Sequence, residues 1–152
     1  MNSIELKNNL KKGELVLGTL IVSASPFWLK ILENCSLDFI FIDTEHIALN
    51  RVDLSWMCRS YSAIGYPPLV RMPSPDPYIA TQYLDDGASG VIAPYVEKIE
   101  QVRELIGATK KRPIKGKKLE ESFGMKTLYS LKESSCSILI FVIPSGKDDL
   151  EH

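Results

Sequence analysis

A chain of 152 residues with 45% hydrophobic content carries enough apolar side chains for one domain with a real core. Its formal net charge of −1 supplies no global field that would draw it to nucleic acid or to an anionic membrane. No apolar run approaches the ~18 residues of a membrane span and the polar N-terminus does not read as a signal peptide, so a cytoplasmic location is expected.

Residues 4–10 place Ile4, Leu6 and Leu10 on one face of a short helix, closed by Lys11, Lys12 and Gly13. Residues 15–22 form the first strand. Ser25 and Pro26 then suit a helix N-cap and first turn, followed by Trp28, Ile31, Leu32 and Cys35 at helical spacing. Phe39-Ile40-Phe41-Ile42 reads as a strand buried on both faces, as in a parallel sheet covered by helices. It ends on Asp43-Thr44-Glu45-His46, with the only histidine before the last residue. In α/β folds the carboxyl ends of parallel strands are where ligands bind, so this strand end is the first place to look for chemistry. The bland alternative is a solvated strand end.

Asn50 caps the next helix, in which Leu54, Met57, Cys58 and Tyr61 repeat the apolar stripe before Gly65 and Pro67-Pro68 stop it. Residues 68–72 form a strand ending in the cation Arg71. Asp76-Pro77 starts a helix through Ala80, Tyr83 and Leu84 that stops at Gly87. Residues 90–94 are the fourth strand, and Ile99, Val102, Leu105 and Ile106 mark the helix after it. Residues 110–118 hold six cations, which suits a solvated loop or, alternatively, an anion-binding one. A fifth strand covers residues 137–143. Cys35, Cys58 and Cys136 are odd in number, far apart and in apolar surroundings, which fits buried free thiols rather than disulfides or a zinc site.

Strands alternating with helices imply βαβ units and a parallel sheet. Two architectures satisfy the order: an open doubly wound sheet, or the first five strands of a (β/α)₈ barrel, which needs about 250 residues. Neither a GxGxxG nor a GxxxxGK[ST] motif follows any strand, so a nucleotide-binding open sheet lacks its usual sign.

Several segments together resemble the HpcH/HpaI aldolase family, class II pyruvate aldolases with a TIM-type barrel. They are Leu17-Gly18-Thr19, Ile42-Asp43-Thr44-Glu45-His46, Val70-Arg71-Met72-Pro73, and Leu84-Asp85-Asp86-Gly87-Ala88 with Gly90 and Pro94. Arg112-Pro113-Ile114-Lys115-Gly116 continues the pattern. The resemblance covers the N-terminal portion of the family and favours the barrel, with residues 1–149 as a partial aldolase-like domain. Leu150-Glu151-His152 looks like a vector-derived tail.

The resemblance implies a lyase that cleaves 4-hydroxy-2-oxo acids to pyruvate, or a related 2-oxo acid, and an aldehyde. It assigns His46 as the acid–base group, Asp43 as its orienting partner and Arg71 as the donor to the enolate oxygen. Asp85 matches an acid near the site, often supplied across a subunit contact, and Gly87 and Ala88 match the substrate-binding segment. A structural Arg71–Asp85 ion pair and a surface role for Glu45 are the competing readings. The family cofactor is a divalent metal, Mg²⁺, Mn²⁺ or Co²⁺, held by a glutamate after the fifth strand and an aspartate after the sixth. Here the glutamate position falls on or beside Pro144 and no sixth strand follows, so no metal ligand is expected in this chain. The expected partners are small 2-oxo acid and aldehyde substrates, with a homo-oligomer or another chain supplying the missing strands. A truncated or non-catalytic aldolase-like interaction domain is the alternative function.

Overall fold

The computed structural model describes residues 1–110 and 138–141. The element order is α1 (Ser3–Lys12), β1 (Gly18–Ile21), α2 (Phe27–Leu32), β2 (Phe39–Asp43), α3 (Arg51–Ala63), β3 (Pro68–Arg71), α4 (Pro77–Asp85), β4 (Gly90–Ala93), α5 (Ile99–Lys110) and β5 (Ile138–Phe141). All strand pairs are parallel, and the sheet runs β1-β2-β3-β4-β5 without a reversal. A doubly wound sheet reverses its strand order at a switch point. This one does not, so the arrangement is a partial, incomplete (β/α)-barrel-like sheet.

Local sequence sets the element ends. Asn2 accepts hydrogen bonds from the Ile4 and Glu5 amides while the Glu5 carboxylate accepts from the Asn2 amide, a capping box that starts α1 at Ser3, one residue before the apolar pattern. The Asn50 side chain accepts from the Asp53 amide, and Asp76 accepts from Tyr78 and Ile79 ahead of Pro77. β1 is shorter than the expected 15–22, and the flanking Leu17 and Val22 are exposed. α2 ends at Leu32, so Cys35 falls past the helix and is exposed, against the expectation of a buried thiol. Cys58 is buried as expected, and burial pushes its thiol up to about 12. Cys136 and most of the 110–118 loop lie outside the described residues, as do the ends of the 137–143 strand, Pro144 and the tail.

Strand alternation divides the sheet into two faces. Ile40, Ile42 and Val70 pack outward on Leu54, Met57, Cys58 and Tyr61 of α3, and Val91 and Ala93 pack on Ala80 of α4 and Leu105 of α5. The other face carries Phe39, Phe41, Leu69, Ile92 and Ile140. Leu6 of α1 plugs this inner face and is fully buried. The N-terminal amine donates to the Gly65 carbonyl at the end of α3, which ties α1 to the amino edge of the sheet. On β1 the inner face is open, with Leu20 47% exposed.

Leu6 is the only residue of α1 in this inner-face cluster that is buried, so truncating it should undock the helix. Leu6→Ala is expected to cost about 2–5 kcal/mol, read as a lower urea midpoint at an unchanged slope.

Candidate active site

The register pairs Asp43, the last residue of β2, with Arg71, the last of β3. Both follow the parity of Phe39, Phe41 and Leu69, so both side chains rise on the inner face at the carboxyl edge. Asp43 is only 3% exposed and needs a counter-charge there. The Arg71 guanidinium supplies it as a two-pronged pair: Nε donates to Oδ1 at 3.0 Å, and Nη2 makes a short bond to Oδ2. That bond, with help from the Glu45 and His46 amides, holds the Asp43 carboxyl down at about 2 against the burial that would raise it. The same bond raises the pKa of Arg71 further. Arg71 also lies over the Phe41 ring, 5.6 Å from its centre, which fixes the guanidinium from below.

Asp43 organises the loop after β2 as well. Its Oδ1 accepts from the Glu45 amide at 2.9 Å and the His46 amide at 3.4 Å, an Asx-turn that reverses the chain just past the strand. Thr44 continues the ladder: its amide and hydroxyl both donate to the Arg71 carbonyl, and the hydroxyl is 2.8 Å from the Tyr83 hydroxyl on α4. The turn brings His46 Nδ1 to 3.2 Å from Asp43 Oδ2 and 2.7 Å from Arg71 Nη2. These two contacts ask opposite things of Nδ1. Arginine only donates, so Nδ1 must be bare to meet it, whereas donating to Asp43 needs a proton on Nδ1. The side chain of His46 is 60% exposed, so the ring is open to solvent.

Glu45 is not a surface carboxylate. Its Oε2 lies 3.2 Å from Arg71 Nε and 3.8 Å from His46 Nδ1, and no hydrogen is donated to it. The single Nε proton of Arg71 goes to Asp43, which leaves the Glu45 oxygen with a charge contact only. Across the edge, Tyr95 follows β4, and the neighbouring Glu45 carboxylate pushes the phenol's pKa up.

The Arg71–Asp85 ion pair of the competing reading does not form; Arg71 takes Asp43 and Glu45 instead. Asp85 ends α4, is exposed, and uses its carbonyl to accept from Arg59. Gly87 and Ala88 lead into the amino end of β4, where the Ser89 amide reaches Pro68 at the start of β3. Within one copy of the chain, Asp85, Gly87 and Ala88 therefore stand at the opposite edge from His46 and Arg71. Gly87 has a structural reason to be glycine: its φ is 111°, and a Cβ there would meet Arg59 Cγ at 3.2 Å and Cys58 Cβ at 3.4 Å. The structural ion pair is made by the next residue, Asp86, which takes Arg51 in two bonds of 2.9 and 2.7 Å.

No metal-ligand spacing was expected of the acids in this chain, but the fold creates one. Among the described residues Asp43, Glu45 and His46 bring their ligand atoms within 4.8 Å of one another. Carboxylate and imidazole donors suit a divalent ion, and the hydrogen-free Glu45 oxygen gives it an acceptor with no competing proton. The cluster can chelate such an ion once Arg71 withdraws from its centre. The Pro144 position lies outside the described residues.

Sequence reasoning singled out Asp43, His46 and Arg71, which the structure brings together. It did not find the clamp role of Glu45, the Thr44–Tyr83 tie, or Tyr95. Loop residues after a strand carry no periodic signal, and only the Asp43–Arg71 register shows which of them converge.

Five parallel strands in unreversed order, alternating with helices, put this molecule in the class of barrel-type α/β proteins. Within the class, the sequence pattern of the HpcH/HpaI aldolase/citrate lyase family matches residues 17–143, and the chain belongs to that family. A 2-dehydro-3,6-dideoxy-6-sulfogluconate aldolase of Pseudomonas putida is 32% identical over 105 residues, 69% of this chain and 41% of that protein. A hydroxypyruvate/pyruvate aldolase of Roseovarius nubinhibens is 31% identical over 107 residues, 70% of this chain and 42% of that protein. The crystal structure of an HpcH/HpaI aldolase from Desulfitobacterium hafniense superposes with a TM-score of 0.63 at 30% identity, covering 71% of this chain and 42% of that one. The chain thus spans less than half the length of these relatives. No helix among the described residues is long and apolar enough to cross a membrane.

The pKa of Asp43 sets a direction for acid unfolding. Because it falls from 3.8 to about 2 on folding, its contribution is complete above pH ~5 and lost as pH drops through 3.8 towards 2. A shift of this size corresponds to about 2 kcal/mol. Asp43→Asn should shrink the loss of stability between pH 5 and pH 2 by that amount and lower stability at pH 7, both read from urea midpoints.

Proposed function

We propose that this chain carries the acid–base and anion-holding half of a class II aldolase site, one that cleaves 4-hydroxy-2-oxo acids to pyruvate, or a related 2-oxo acid, and an aldehyde. The observation that carries this reading is the convergence of Asp43, His46 and Arg71 at one carboxyl edge.

In that reaction a base takes the proton of the C4 hydroxyl, the C3–C4 bond breaks, and its electron pair moves into the C2 carbonyl to give an enolate. Protonation at C3 then yields the 2-oxo acid. Arg71 is suited to donate to the enolate oxygen, since its guanidinium is already fixed by Asp43 and Phe41. When Arg71 Nη2 donates to a bound 2-oxo acid instead of to His46, with Nε still on Asp43, His46 Nδ1 is free to donate to Asp43. Nε2 then stands open as the base facing solvent.

A divalent ion would supply a Lewis acid for the carbonyl oxygen. Asp43, Glu45 and His46 would hold it, but only with Nδ1 bare, and a neutral imidazole bare at Nδ1 carries its proton on Nε2. The cluster therefore suits either an ion or a base at His46, and not both together. A non-catalytic aldolase-like interaction domain is the second reading, favoured by the family's glutamate position falling on or beside Pro144.

The deciding measurement is a coupled pyruvate-release assay beside calorimetric titration with Mg²⁺, Mn²⁺ and Co²⁺. For the chain by itself we expect no tight metal binding, because the Arg71 guanidinium already occupies the centre of the cluster and its charge opposes a second cation there. Turnover should be lower by roughly a thousandfold or more than that of a complete aldolase carrying a bound metal. Pyruvate should nevertheless bind, and Arg71→Met should abolish that binding; failure of wild-type protein to bind pyruvate would favour the interaction domain. Metal-dependent turnover lost in His46→Ala would show a working metal site and overturn the expected inactivity.

We also infer that the open inner face at β1 is covered in the working assembly, by a second copy or by a chain supplying further strands. Leu20 and Val22, on the parity of that face, are both about half exposed. Sedimentation should show a dimer or larger species at micromolar concentration, and a stable monomer would count against it.

A further inference from the structure

Thr44 is the first residue past β2, and strand alternation turns its side chain from the inner face towards the helix layer. There its hydroxyl meets two partners, the Arg71 carbonyl at 2.6 Å and the Tyr83 hydroxyl at 2.8 Å. Counting protons gives the direction of both bonds. A carbonyl only accepts, so the single Thr44 proton goes to Arg71, and the phenol of Tyr83 is the donor to Thr44. Accepting one bond while donating another polarises the hydroxyl and strengthens its bond to Arg71. With the Thr44 amide on the same oxygen at 3.1 Å, the Arg71 carbonyl accepts two hydrogen bonds from one residue. Tyr83 packs against both outer core clusters, so apolar contacts fix its ring. α4 starts at the carboxyl edge, soon after β3, and helix side chains lean towards the helix N-terminus. From the last turn of α4 the long phenol therefore reaches back to that edge.

We propose that Tyr83 is a positioning residue for the Asp43–Arg71 pair, acting through Thr44. Thr44 follows Asp43 in the chain and is bonded to the Arg71 backbone. Holding it therefore holds the main chain of both partners where the β2–β3 ladder ends. The ion pair sets the guanidinium on the inner face, and the Tyr83–Thr44 link sets the two strand ends from the outer one. Order already present in the free protein lowers the cost of binding an anion at Arg71. That consequence rests on the reading of Arg71 as the 2-oxo acid anchor; the positioning itself does not.

Two measurements separate these levels. The NMR signal of the Arg71 Nε–H, assigned by its loss in Arg71→Lys, reports the guanidinium without any ligand. Tyr83→Phe keeps the ring and its packing and removes only the hydroxyl. It should shift and broaden that signal and weaken pyruvate binding by about three- to tenfold, the range for one neutral hydrogen bond. Thr44→Val should have at least as large an effect, adding Tyr83→Phe to it should change nothing further, and Thr44→Ser should stay near wild type. Tyr66→Phe is the stability control. Its hydroxyl bonds the carbonyls of Leu32 and Cys35, at and past the end of α2, and its loss should lower the thermal midpoint while leaving the Arg71 signal in place. An unchanged Arg71 signal in Tyr83→Phe overturns the proposal, as does an equal change in Tyr66→Phe or a further change in the double variant. An altered signal with pyruvate binding at the wild-type level overturns it as well, since a residue that positions Arg71 must be felt by the anion Arg71 holds. An altered signal in a protein whose wild type does not bind pyruvate supports the positioning role and sinks the 2-oxo acid reading instead.

Discussion

Everything at the carboxyl edge depends on one ion pair between the last residues of two neighbouring strands. Asp43 is buried, and a buried carboxylate without a partner is strongly destabilising, so β2 and β3 must meet in the register that brings Arg71 to it. A slip of one residue would turn Arg71 into the helix layer and Val70 onto the inner face. The pair therefore does more than fill a polar gap. It locks the strand register, and through the second lone pairs of Asp43 it also locks the turn that carries Glu45 and His46. Stability and site geometry are here the same set of bonds.

The two edges of the sheet are built for different work. At the amino edge, Leu6 closes the inner face and Gly87 makes a turn that a side chain would obstruct, while the Arg51–Asp86 pair ties the start of α3 to the end of α4. These contacts are apolar, paired or sterically tight, and they leave little free to react. At the carboxyl edge the side chains are ionisable, partly exposed, and share donors and acceptors without satisfying all of them. Glu45 has an oxygen with no proton, and His46 Nδ1 faces two partners that want it in different states. Incomplete satisfaction of this kind gives a ligand something to complete. It also explains why the motif around Asp85, read beside His46 and Arg71, belongs to the other end of the sheet in any single copy.

Much of this was fixed by sequence alone. The apolar runs 39–42 and 90–93, the caps at Asn50 and Asp76, and the stops at Gly65 and Gly87 specify alternating strands and helices, because period and turn chemistry are local properties. The same local logic located the ionisable residues after β2 and β3 and the family to which the chain belongs. Sequence could not choose between an open and a barrel-like sheet from alternation, since both share it; the unreversed strand order decided that. Nor could it place Cys35, whose helix stops a turn short of the apolar pattern. The partners of Arg71 were likewise a tertiary decision: a cation two residues past Leu69 could as well have met Asp85, and only strand parity and register bring it to Asp43 and Glu45. Tyr95 carried no signal at all in the chain, because a left-handed tyrosine is visible only once the backbone around it is in three dimensions.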